Sequence, residues 1–165
     1  MREVLFVAVV GVVVLGIQVS RFGLQMPAAY KPDLMLVTVV WSSLRVRYAT
    51  GAGYAFVAGL LVSLFSGAPT ALFSLVYCLV FGLSGYVNST FQVDRPLGWA
   101  LLLFIGAWLG GGVIAAVRLM EVPSTMDWSI ITWMMLKATT TVLGGELLML
   151  VLDRLWKSYS RIMGE

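Results

Sequence analysis

Long apolar runs separated by short polar punctuation organise the chain from end to end. The first run, Val4 to Val19, is interrupted only by Gln18 and stops at Arg21. A charged and proline-marked segment follows, with Pro27 and Pro32 as breakers. The second run, Leu34 to Leu44, is short. It crosses a bilayer if Pro32 sits in the first turn and the helix continues through Arg45 and Arg47, whose long stems reach the interface; a re-entrant segment is the alternative. Further runs cover Ala49 to Ser66, Thr70 to Val87, Pro96 to Val117 and Trp128 to Leu152. Each is long enough to span lipid as a helix. The pattern predicts an all-α, polytopic membrane protein of about six transmembrane helices, over 4–20, 33–47, 49–66, 70–87, 96–117 and 128–152, forming one integral membrane domain. Arg2 before the first run resembles the basic end of a signal peptide, but Glu3 weakens it. No small-residue cleavage site follows closely, so a retained first helix is expected.

Composition sharpens this reading. Of 165 residues, 60% are hydrophobic and 12% charged, against about 45–50% and about 25% in soluble domains. Mean hydropathy is +0.95. A soluble domain of this size would leave large apolar patches in water, and disorder needs far less hydrophobicity. There is no histidine, which removes histidine-based catalysis and ligation. The single cysteine, Cys78, reads as a small apolar residue within a span. No phosphate-binding loop or dinucleotide fingerprint is present, so neither a cofactor nor a nucleic-acid partner is expected. The net charge of +3 is distributed with direction. Arg2, Arg45, Arg47, Arg95, Arg154, Lys157 and Arg161 fall on one side of the predicted spans; Arg21, Lys31 and Arg118 fall on the other. The positive-inside rule places both termini in the cytoplasm. Trp41, Trp99, Trp128 and Trp156 lie near span ends, as an aromatic belt does.

Small residues carry the next signal. Gly51, Ala55, Gly59, Ser63 and Gly67 recur every four residues and line one helix face. Span four repeats the spacing with Ser74, Cys78 and Gly82, and span five with Ala107, Gly111 and Ala115. Such faces let helix backbones approach closely, either within the bundle or against a partner's helix. Two ionisable groups lie inside the last span, Lys137 and Glu146. Nine residues apart, they point to opposite sides of the helix. Lys137 has Thr140 and Thr141 within reach along its own helix, and Glu146 has Arg45 or Arg47 as a counterpart. Together they also suit a small channel or proton carrier. Asp33 suits the N-cap of the second span. Catalysis is not expected, because no nucleophile has a base beside it and no carboxylates cluster for metal binding.

Two stretches carry a family resemblance. Lys31-Pro32-Asp33-Leu34-Met35-Leu36 resembles the "PDLLL" opening of the second span in the rod shape-determining MreD family. Gly53-Tyr54-Ala55-Phe56-Val57-Ala58-Gly59-Leu60-Leu61, leading to Ser66-Gly67-Ala68-Pro69, resembles that family's "GFxxGLLxDLxSGxPLG" stretch. The similarity covers residues 30–87. This chain has Ser63 where the family has aspartate, and Thr70-Ala71 in place of its Leu-Gly. The resemblance implies a non-catalytic inner-membrane component of the cell-elongation machinery. Its partners would be the transmembrane helix of MreC, the complex of RodA with a class B penicillin-binding transpeptidase, and the filament protein MreB. Cytoplasmic arginines would also meet anionic lipid. The family's fold is similar to the S components of energy-coupling-factor transporters, which makes a vitamin-binding S component the alternative.

Overall fold

The computed structural model describes residues 2–20, 30–66, 71–91, 96–121 and 128–162. Of these, 94% are helical, and there is no strand among the described residues. The helices are α1 (Arg2–Val19), α2 (Leu34–Arg45), α3 (Tyr48–Ser66), α4 (Leu72–Phe91), α5 (Pro96–Glu121) and α6 (Trp128–Ile162). α3 to α6 are each long and apolar enough to cross a membrane, whereas α1 and α2 are shorter apolar helices. The chain is thus a membrane protein by the length and apolarity of its helices.

α2 is the centre of the bundle. Among the described residues it packs against each of the other five helices, and every residue from Met35 to Ser42 is buried. Val37, Val39 and Val40 have no exposed surface at all. The outer helices turn their large apolar side chains outward instead: Val12, Leu64, Phe91 and Leu147 are all more than 60% exposed. That arrangement explains why α2 has only 12 residues, about 18 Å of helix. A helix ringed by protein does not meet lipid, so the bilayer does not set its length. Its irregular N-terminal backbone is tolerated because protein groups satisfy it.

Register follows from the cross-links. Asp33 meets Thr141 and Arg45 meets Asp153, both at a sequence separation of 108. α2 and α6 therefore run parallel with a constant offset. α1 runs against them, because Gln18 meets Met35 at one end and Glu3 meets Arg47 at the other.

Several boundaries differ from the expected ones. α2 does not continue to Arg47: Val46 is extended, at φ −111° and ψ 154°, and α3 starts afresh at Tyr48. α4 runs on to Phe91, through residues expected in a loop, because the hydroxyls of Ser89 and Thr90 donate back to the Tyr86 carbonyl. α6 continues ten residues past Leu152, to Ile162. Its extension is held by aromatic packing: Trp156 and Tyr159 both lie against Phe6, at 5.0 and 5.3 Å between ring centroids. Trp41 and Trp99 are not belt residues. They are 2% and 6% exposed, because α2 is central and Trp99 faces inward from α5. Trp128, at 84% exposure, remains outside.

Candidate functional site

The most polar place inside the bundle is the start of α2. Asp33 is its N-cap, and the carboxylate Oδ1 accepts from the Leu36 backbone N–H at 3.1 Å. The same oxygen accepts from the Tyr77 hydroxyl of α4 at 2.8 Å. The Asp33 N–H donates to Thr141 Oγ1 of α6 at 3.1 Å, and the Met35 N–H donates to Gln18 Oε1 of α1 at 3.2 Å. Three outer helices thus satisfy one helix end, which otherwise presents four unpaired donors. Pro32 packs over Gly144 of α6, where an added Cβ would lie 3.5 Å from the ring. A small cavity of about 10 Å³ opens beside this cap, lined by Asp33, Tyr77 and Lys137 together with apolar residues of α2, α4 and α5.

Lys137 is therefore not paired with threonines of its own helix. Thr140 donates to the Lys137 backbone carbonyl, and Thr141 accepts from Asp33. The ammonium lies 5.1 Å from the Trp133 ring centroid. Helical side chains lean toward the N-terminus, so the neighbour one turn back is reached before those one turn ahead.

A second polar cluster sits at the other end of α2. Arg45 clamps Asp153 with two hydrogen bonds, Nε to Oδ1 at 3.0 Å and an outer nitrogen to Oδ2 at 3.1 Å. Trp41 Nε1 donates to the same carboxylate at 3.3 Å, and Lys157 approaches it at 4.0 Å. Arg47 turns the other way, to Glu3 at 3.6 Å. The sequence-based expectation that Glu146 meets Arg45 or Arg47 is corrected: the two arginines bind Asp153 and Glu3 instead. Glu146 lies seven residues before Asp153, about 10 Å short of the level of Arg45, and is half-buried. Arg154 and Arg161 are exposed on the outer part of α6.

The small-residue face of α3 is occupied by the chain's own α4. Gly51, Ala55, Gly59 and Ser63 are all buried. A Cβ on Gly59 would lie 2.5 Å from Ser74 N and 2.7 Å from the Phe73 carbonyl carbon, so backbone meets backbone. Gly51 makes room for the Phe81 ring. Gly67 and Pro69 fall outside the described residues. On α5, Gly111 is buried against Met134 of α6, while Ala107 and Ala115 are half-buried. The α4 spacing does not form one packing face: Ser74 is buried, but Cys78 is exposed and Gly82 meets open space.

The motif residues divide in the same way. Asp33 and Pro32 anchor α2, whereas Gly53 is exposed with open space around it. It lines an apolar groove of about 450 Å³ between α1 and α3, with Gly11, Tyr54 and Val57. Ser66 is exposed, its hydroxyl donating to the Ser63 carbonyl at 3.3 Å. The Ser63 hydroxyl itself is buried and has no hydrogen-bond partner among the described residues.

Gln18, Tyr54 and Tyr77 are polar anchors not singled out from sequence. Tyr54 shares a 2.6 Å hydrogen bond with Thr38 of α2. Their signal was a polar tip within an apolar run, which needs a partner in lipid. Among the described residues, no three His, Cys, Asp or Glu side chains gather as a metal site would require. Set against known protein families, curated proteins and solved structures, the chain has no match.

Proposed function

We propose that this chain is a non-catalytic, MreD-like scaffold of a bacterial inner membrane. It would cross the membrane six times with both termini in the cytoplasm and assemble with MreC, RodA with its transpeptidase, and MreB. The observation that carries the reading lies in the motif-bearing half. Residues resembling the family's two motifs build the central α2 and the α3–α4 pair that clasps it. Asp33 and the Arg45–Asp153 pair hold helices to one another. Asp33 ties α2 to α4 and α6, and Arg45 ties it to the far part of α6. A rigid body of this kind suits an assembly platform. The space beside Asp33, about 10 Å³, is far below the roughly 300–1,000 Å³ of small-molecule sites, so the polar centre at the start of α2 serves packing rather than a vitamin.

The α3 face is filled by α4, so a partner helix has to use an outer surface. The groove between α1 and α3 is lined by small residues and opens outward. The test is co-purification with MreC from cells expressing both. Gly53→Leu projects into that groove from a position where an added Cβ meets nothing within 4 Å, and is expected to reduce recovery of the complex while the chain itself inserts normally. Full recovery with Gly53→Leu removes the groove as the docking surface, and no MreC recovered with the wild type rejects the family reading. Micromolar or tighter binding of a vitamin to the purified protein would favour the S-component alternative.

A further inference from the structure

We infer that one water molecule occupies the cavity beside Asp33 and bridges its carboxylate to the Lys137 ammonium, making Lys137 the counter-charge of the recessed α2 cap. This inference does not depend on the partner the chain serves. The cavity measures about 10 Å³, room for about one water. Such a site needs two to four polar partners to hold its occupant. Asp33, Tyr77 and Lys137, from α2, α4 and α6, are the polar residues of its lining, while the remaining walls, Leu36, Val76 and Ala107 among them, are apolar.

The hydrogen bonds already made leave a specific opening. Asp33 Oδ1 accepts from both Leu36 N–H and Tyr77 Oη, and Oδ2 has no donor among the described residues. The ion pairs found there join Arg45 and Lys157 to Asp153 and Arg47 to Glu3, so Asp33 and Lys137 share a cavity without direct contact. A carboxylate and an ammonium brought into a bundle interior are each costly alone. A water that donates to Asp33 Oδ2 and accepts from the Lys137 ammonium compensates both charges at once. The Trp133 ring, 5.1 Å from Nζ, adds a second contact to the ammonium.

The test is a double-mutant cycle read by the unfolding equilibrium of purified protein in detergent. Asp33→Asn keeps an N-cap acceptor and removes the charge. Lys137→Met keeps the stem and removes the ammonium. Lys137→Met is expected to lower the folded-to-unfolded ratio about tenfold more in the presence of Asp33 than in the Asp33→Asn background. Equal effects in both backgrounds overturn the inference. So does a Trp133→Leu variant that reproduces the whole effect of Lys137→Met, because the ring would then be the partner that matters. If the Asp33→Asn variant does not fold, a structure of the wild type at a resolution that shows waters decides it. One water within hydrogen-bond reach of both groups supports the inference, and a cavity filled by the lysine itself or empty overturns it.

Discussion

Replacing Gly59 by alanine adds a single methyl group where α3 and α4 touch backbone to backbone. The new carbon would lie 2.5 Å from Ser74 N and 2.7 Å from the Phe73 carbonyl carbon. Ordinary contact distances are about 3.5–4.0 Å, so the helices have to part by about 1 Å. The obstacle is main chain, which cannot rotate aside as a side chain does. Overpacking of this kind costs about 1–3 kcal/mol, and the better helix propensity of alanine offsets up to about 1 kcal/mol. The expected net loss is about 1–2 kcal/mol. Gly53→Ala is the matched control, on the same helix and with no atom within 4 Å of the added carbon. It should be neutral or stabilising by up to about 1 kcal/mol. Both variants can be unfolded by titrating sodium dodecyl sulfate into mixed micelles, with helical circular dichroism as the signal. Equal midpoints for the two variants would refute the assignment of this face to an α3–α4 contact.

Two further outcomes follow from the polar interior. Arg45→Met leaves Asp153, at 8% exposure, without its bidentate partner, and should cost about 2–4 kcal/mol. Arg47→Met touches a pair whose arginine side chain is 86% exposed, and should cost no more than about 1 kcal/mol; the same titration reads both, and equal losses would contradict the buried clamp. Ser63→Ala removes a buried hydroxyl that has no partner among the described residues, so it should be neutral or stabilising by about 1 kcal/mol. A marked loss of stability would mean that the hydroxyl is engaged.

Much of this architecture was legible in the chain itself. Continuous apolar runs bounded by charges and prolines located the six helices of the described residues, because lipid requires every backbone group to be satisfied within the segment. The four-residue spacing of Gly51, Ala55, Gly59 and Ser63 marked a close helix contact, and Asp33 before Leu34 marked a cap. These are local properties, carried by period and by residue chemistry. The lengths of α4 and α6 were not legible, since hydropathy stops where lipid contact stops. Ser89, Thr90 and Trp156 carry the helices further through bonds and packing.

Tertiary structure alone decided what each signal is for. α2 is the shortest of the apolar helices, yet it is the hub, because a central helix is judged by its protein neighbours and not by lipid. The spacing of small residues on α3 does not say whose helix fills it; α4 does, at Gly59. Asp153 lies one residue past the expected end of the last span and is the buried partner of Arg45, 108 residues away. Lys137 and Asp33 lie almost as far apart, in unrelated runs, and only the parallel packing of α2 on α6 brings them to one cavity. Charge compensation across such distances depends on register between helices, and no local pattern in the chain encodes it.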